Sequence, residues 1–268
     1  MKTLDLFAAR SLLFLPASNP RAIAKAREAG ADLVILDLED AVKPADKDGA
    51  RSAAVEAVKQ AWSMPVAIRI NGTGTEWHRR DLDLVAASNA DLVVVPRPAS
   101  AQIVGDVAKA AGKPVLAMIE TAAGVLAASE IACSCAGLIA GTNDLRADLH
   151  LPLESDRSPM SVSLQMIVLA ARAAGVAAFD GVYNRLDDEA GFLAEAQGGR
   201  RLGFDGKSLI HPAQIAPCHR AFAPTEAEIA RANALVADFK GGANRFGDEM
   251  IERMHVEAAE RLLARGKR

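Results

Sequence analysis

The chain has 268 residues, 50% hydrophobic and 24% charged, which is enough for one large α/β domain and short for two. A net charge of -3 gives no concentrated basic face, so nucleic acid is excluded as an expected partner. Cys133, Cys135 and Cys218 are odd in number and lack zinc-finger spacing, so neither a disulfide framework nor a cysteine-rich zinc site is expected, and reduced thiols suit a cytosolic protein.

Near the start, Lys2 precedes an apolar stretch ending at Pro16-Ala17-Ser18, but Asp5 and Arg10 interrupt it. It reads as a first strand and not as a signal peptide. Further apolar runs at 32–38, 65–70, 92–96, 114–119, 137–141, 177–182 and 207–210 join 11–16 as strand candidates. They lack strict alternation, as strands buried on both faces do. Ala-rich segments at 20–29, 46–61, 79–88, 100–111, 122–133, 160–174 and 187–202 carry helical spacing. Gly30, Gly112, Gly137 and Gly175 stand where helices should stop. The tract from Met160 to Val176 is broken by Gln165 and Arg172 and falls short of a membrane span, so a cytoplasmic protein without a membrane partner is expected.

Eight βα units thus fill the chain to about residue 223. Thr225, with Glu228 three residues on, then opens another helix. Gly241-Gly242 reads as a flexible joint before a charged amphipathic helix from about Glu249 to Arg265. The expected architecture is a (β/α)8 TIM barrel over 1–240 with a helical tail over 241–268. A doubly wound open sheet is the competitor, but the loop Pro16-Ala17-Ser18-Asn19-Pro20 has none of the glycines such a sheet would place after its first strand.

In a parallel barrel the C-terminal strand ends share one rim, and here those ends carry most of the acids and bases able to do chemistry. They include Asp37-Leu38-Glu39-Asp40, Arg69-Ile70-Asn71, Arg97, Glu120 and Asn143-Asp144. Glu120 and Asp144 end adjacent strands, and two carboxylates with water oxygens suit a hard cation such as Mg²⁺. Alternatively, Asp144 caps the next helix and Glu120 pairs with Arg69 or Arg97. Arg69, between two isoleucines on a covered strand, needs anionic partners: either a structural carboxylate or a substrate carboxylate held by its fork. Arg10 before the first strand and Arg97 after the fourth either widen the positive character of the same rim or are simply surface residues. His211 is either a general base or a structural residue holding the following turn.

The motifs Arg10-Ser11-Leu12-Leu13-Phe14-Leu15-Pro16, Asp37-Leu38-Glu39-Asp40-Ala41-Val42, Arg69-Ile70-Asn71, Ile119-Glu120-Thr121, Gly141-Thr142-Asn143-Asp144-Leu145 and Gly203-Phe204-Asp205-Gly206-Lys207 through Ile210-His211-Pro212 resemble those of the citrate lyase β-subunit-like CoA-ester lyases. The resemblance runs in order from residue 10 to about 240. It implies a barrel of the pyruvate/phosphoenolpyruvate-binding type, Mg²⁺ as cofactor and a homotrimer or multiple of it. It also implies cleavage of a 3-hydroxyacyl-CoA such as citryl-, malyl- or citramalyl-CoA to acetyl-CoA and a 2-oxo acid. By that resemblance Glu120 and Asp144 would hold the metal and Arg69 would act in catalysis and meet the substrate beside Glu120; Arg10 and Arg97 are further substrate-binding candidates from their expected place on the rim.

Two positions depart from the family's pattern. Pro96-Arg97 stands where the family has Pro-Lys, and Gly247-Asp248-Glu249-Met250-Ile251-Glu252 resembles a stretch whose catalytic aspartate, here Glu252, reaches a neighbouring subunit's site. Two rival functions share the barrel: a CoA-independent class II aldolase acting on a 2-oxo acid, and a non-catalytic acyl-CoA-binding protein or citrate lyase complex β-subunit.

Overall fold

Residues 5–152 and 156–266 are described by a computed structural model. They fall into two units, one running to Ala221 and the other starting at Phe222.

In the first unit eight parallel strands close a barrel in sequence order. They are β1 (Ser11–Pro16), β2 (Leu33–Asp37), β3 (Val66–Arg69), β4 (Leu92–Val95), β5 (Val115–Ile119), β6 (Gly137–Ala140), β7 (Ala177–Asp180) and β8 (Gly206–Leu209). Between them run α1 (Pro20–Ala26), α2 (Lys47–Lys59), α3 (His78–Ala87), α4 (Ala101–Ala111), α5 (Ala122–Leu126), α6 (Ala128–Ala132), α7 (Thr142–Asp148), α8 (Ser161–Ala174) and α9 (Glu189–Leu202), with α10 (Ile215–Phe222) after β8. The apolar runs form strands because helices cover one face and the barrel interior the other, so β2 to β8 are buried along their whole length. Gly112 and Gly175 close α4 and α8 at φ of 62° and 69°, a left-handed turn glycine adopts without a Cβ clash. Gly137, expected in the same role, instead opens β6. A Cβ there would come within 3.0 Å of Leu116 and 3.1 Å of the Ala177 carbonyl, so the constraint is close packing.

Strand side chains alternate, and that alternation decides what reaches the interior. Leu33 and Ile35 of β2, Ala67 of β3, Leu116 and Met118 of β5, and Phe179 of β7 belong to the inner core. Two residues further on, at the same parity, stand Asp37, Arg69 and Glu120. Asp180 follows Phe179 and has the opposite parity. It accepts from Lys207 Nζ (3.1 Å) and from Arg157 Nη1 (2.9 Å) and Nη2 (2.5 Å), an ionic cluster that Glu195 completes on the outer side of the barrel wall.

The second unit is a helix, hairpin and helix: α11 (Glu226–Asp238), β9 (Asn244–Phe246) antiparallel to β10 (Glu249–Ile251), and α12 (Arg253–Gly266). Thr225 caps α11 reciprocally with Glu228 as expected. Ala232 and Leu235 of α11 pack with Ile251 of β10 and with Val256 and Ala259 of α12. This core corrects the expected boundary at 240/241, because α11 buries its apolar face with the tail. It also corrects the start of the last helix, since 249–251 pair as a strand.

Candidate metal and active site

Asp37 and Arg69 are register partners on β2 and β3, which brings their side chains together inside the barrel. Arg69 Nε and Nη2 each donate to an Asp37 oxygen at 2.6 Å, a two-pronged pair buried to 1% exposure at the aspartate and 9% at the arginine. Nη1 lies 2.9 Å from Glu39 Oε2 and donates to Met118 Sδ at 3.7 Å, a weak acceptor that a ligand oxygen can replace. The approach to Glu39 is not directed along an N–H, so Glu39 Oε2 has an ionic neighbour but no hydrogen bond among the described residues. The Phe14 ring sits 5.4 Å from the guanidinium. Arg69 therefore has the structural partners that its strand context demanded, and it still faces the cavity.

Glu120 follows β5 and is 2% exposed. Its Oε1 accepts the Arg97 backbone N–H at 2.9 Å. Burial pushes its carboxyl up to about 8, with the charges of Asp144 and Glu39 adding to the rise and Arg69 opposing it. Burial likewise raises Glu39 to about 7. Asp144 lies in the first turn of α7 and makes no helix cap; it pairs with the Arg97 guanidinium. Arg97 therefore binds one carboxylate through its backbone and the other through its side chain. It does so at φ 46°, an uncommon region for a residue with a Cβ. Gly141 is needed for a different reason: a Cβ there would collide with Glu120 Cβ and Oε2.

These groups open into a cavity of about 370 Å3 lined by Asp37, Arg69, Glu120, Asn143 and Asp144, with Phe14, Met118, Val182, Ser208 and Ile210 among its other walls. Asp40 and Ala41 also line a second cavity of about 800 Å3, walled by Lys43, Lys47, Asn71, Thr73, Thr75 and Arg97. Lys47 Nζ donates to the Leu38 and Glu39 carbonyls, both at 2.7 Å, and to Asn71 Oδ1 at 2.6 Å, pinning the loop that carries Glu39 and Asp40.

The donor set fits Mg²⁺. The Glu120 carboxylate just past β5 and the Asp144 carboxylate in the first turn of α7, after β6, repel one another through poorly solvated space, and no group of three or more His, Cys, Asp or Glu forms a cage among the described residues. That leaves the remaining coordination to water and substrate oxygens, as Mg²⁺ prefers.

Other expected residues lie elsewhere. Arg10 precedes β1 and so stands at the opposite, N-terminal end of the barrel. Its backbone N–H donates to Asp32 Oδ2 at 2.7 Å, with Nε 3.4 Å away, and this corrects its assignment to the substrate rim. His211 accepts the Ala213 N–H at 3.2 Å through Nδ1, which is the structural role. Glu252 belongs to the second unit, immediately before α12, where its backbone N–H donates to His255 Nδ1 at 3.0 Å. Sequence reading missed the backbone conformation of Arg97 and its double engagement, which leave no mark in residue spacing. It also missed Ser208, which the inward parity of β8 could have indicated.

The family model described as HpcH/HpaI aldolase/citrate lyase matches residues 10–212. A (3S)-malyl-CoA thioesterase of Cereibacter sphaeroides is 40% identical over 270 residues, covering 96% of this chain and 94% of that protein. The citrate lyase subunit beta of Leuconostoc mesenteroides is 35% identical, covering 95% and 92%. Protein CitE from Mycobacterium tuberculosis, in a crystal structure with magnesium, acetoacetate and coenzyme A, superposes at a TM-score of 0.87 with 34% identity over 98% of this chain and 100% of that one. With its closed barrel and this rim, the chain belongs to the HpcH/HpaI aldolase/citrate lyase family.

Proposed function

We propose that the chain is a Mg²⁺-dependent carbon–carbon lyase that cleaves a 3-hydroxyacyl-CoA of the citryl-, malyl- or citramalyl-CoA type to acetyl-CoA and a 2-oxo acid. The observation that carries this reading is the meeting of Glu120 and Asp144 with a buried, clamped Arg69 around one small cavity. Glu120 and Asp144 would hold the metal, which when bound polarises the oxygens of the acid. Arg69, fixed in its plane by Asp37, orients the acid's carboxylate and adds positive charge where negative charge develops. The substrate hydroxyl gives its proton to water and becomes the oxo group. The C–C bond breaks with its electron pair passing to the thioester α-carbon, and that enolate takes a proton at carbon to give acetyl-CoA. Lys43, Arg97 and the hydroxyls of Thr73 and Thr75 in the second cavity suit the polar, anionic CoA arm.

Glu252 is our candidate for the proton donor, acting on a neighbouring copy in a cytoplasmic homotrimer or multiple of it. Mixing Glu252→Gln with Arg69→Ala protein should then restore activity that neither variant has alone. No recovery in verified mixed oligomers sinks that assignment. The reaction itself is tested by incubating purified protein and Mg²⁺ with citryl-, malyl- and citramalyl-CoA and following acetyl-CoA and 2-oxo acid. The likeness to a malyl-CoA thioesterase favours a second reading, hydrolysis of the thioester, which the same assay detects as free CoA without 2-oxo acid.

A further inference from the structure

Four of the charged groups lining the smaller cavity, Asp37, Arg69, Glu120 and Asp144, have partners within the chain. Ser208 does not. It is 2% exposed and lines the cavity, and its Oγ has no hydrogen-bond partner among the described residues. Of the described residues with a buried polar side-chain atom in that condition, Ser208 alone lines this cavity.

The alternation of β8 explains its direction. Lys207, one residue before, turns outward to Asp180 and Glu195, so Ser208 turns inward beside Leu12, its register partner on β1 and a member of the inner core. Around the closed barrel, β8 is three strands from β5 and three from β3. Ser208 therefore faces the cavity across from Glu120 and Arg69, with the apolar Val182, just past β7, and Ile210, just past β8, among the other lining residues. A buried hydroxyl without a partner is destabilising, and alanine would suit that apolar wall better, so the hydroxyl needs an acceptor from outside the chain.

We propose that Ser208 is a substrate-binding residue whose Oγ–H donates to an oxygen of the small 2-oxo acid, or of its 3-hydroxyacyl precursor, held by Arg69, Glu120 and Asp144. This rests on the function proposed above. The acid thus has an ionic end and a single neutral contact on the far wall.

Calorimetry of pyruvate, glyoxylate and oxaloacetate binding in saturating Mg²⁺, with thermal melting of the same proteins, tests the assignment. Ser208→Ala should weaken the acid that binds tightest to the unaltered chain about tenfold, leave Mg²⁺ affinity unchanged, and keep or raise Tm, because it deletes a group that the protein alone leaves unpaired. Ser208→Thr, which retains the hydroxyl, should keep the affinity for glyoxylate, the smallest of the three. Unchanged affinity in Ser208→Ala, or affinity and Tm falling together, overturns the assignment. Binding of the acids without cleavage of any CoA ester would instead overturn the proposed lyase function and leave the Ser208 contact standing. If the unaltered chain binds none of the acids, both readings fall.

Discussion

The two ends of the barrel each set a carboxylate beside an arginine, half-buried at Asp32 and buried at Glu120, and they treat it in opposite ways. At the N-terminal end Asp32 Oδ2 accepts from the Arg10 and Ser11 backbone N–H groups at 2.7 and 3.3 Å and lies 3.3 Å from His219 Nε2. Burial pushes its carboxyl up, but the hydrogen bonds from His219 and Arg10 outweigh that and bring it down to about 2. At the C-terminal end Glu120 receives one backbone N–H, faces Asp144, and rises to about 8. The first arrangement completes its own charge balance; the second leaves room for a cation. Backbone strain follows the same division, since Arg97 with its positive φ touches both rim carboxylates. The contrast separates a stability face from a chemistry face in the way the barrel topology expects.

The largest effect comes from removing the rim's unbalanced charge. Glu120→Gln and Asp144→Asn should each abolish Mg²⁺-dependent turnover without unfolding the chain, because a neutral amide is a poor ligand for a hard cation. Undiminished Mg²⁺ affinity in both variants by calorimetry would break the contrast. Next, Arg69→Lys should lower kcat by roughly 10², since a point charge cannot reproduce a fork. If melting shows a large loss of stability with little change in kcat, Arg69 serves only Asp37.

A smaller effect is expected at Arg97. Arg97→Gly keeps the left-handed backbone and its N–H to Glu120 but frees Asp144, so Mg²⁺ should bind several-fold tighter, and weaker binding would show that the guanidinium supports the metal.

The smallest effect is in the pH dependence of stability, measured as Tm in chelator. Glu120 has a folded pKa of about 8, above the ordinary carboxyl value of 4.5, so its contribution is full below pH 4.5 and is lost as pH rises through about 8. Glu120→Gln should remove that decline. Asp32 has a folded value of about 2 below 3.8, so its contribution is present above pH 3.8 and is lost as pH falls through about 2. Asp32→Asn should lower Tm most near neutrality and converge on the unaltered protein in acid. Parallel pH curves for both variants would mean that the two ends do not differ.

The strand positions were legible because a strand covered on both faces requires an uninterrupted apolar run, and each of the eight runs does form a strand. Glu120, Asp144 and Arg69 were legible because each stands at or just past the end of such a run. Arg10 was misplaced because it begins a run, and in a parallel barrel that single difference moves a residue to the other face. The helix assigned from Glu249 missed the β9–β10 pair because a three-residue strand is too short to show a period.

The sequence by itself determined the barrel and which strand ends carry acids and bases, since these follow from local hydrophobic pattern and residue order, and its motifs carried the resemblance to the family. The tertiary structure alone decided how those groups share charge: Arg69 clamped by Asp37 from the neighbouring strand, Arg97 spanning Glu120 and Asp144, and Ser208 turned inward without a hydrogen-bond partner among the described residues. The physical reason is that each relation joins strands or loops distant in sequence. Its sign depends on desolvation and on hydrogen-bond direction, and neither is encoded in the spacing of residues along one chain.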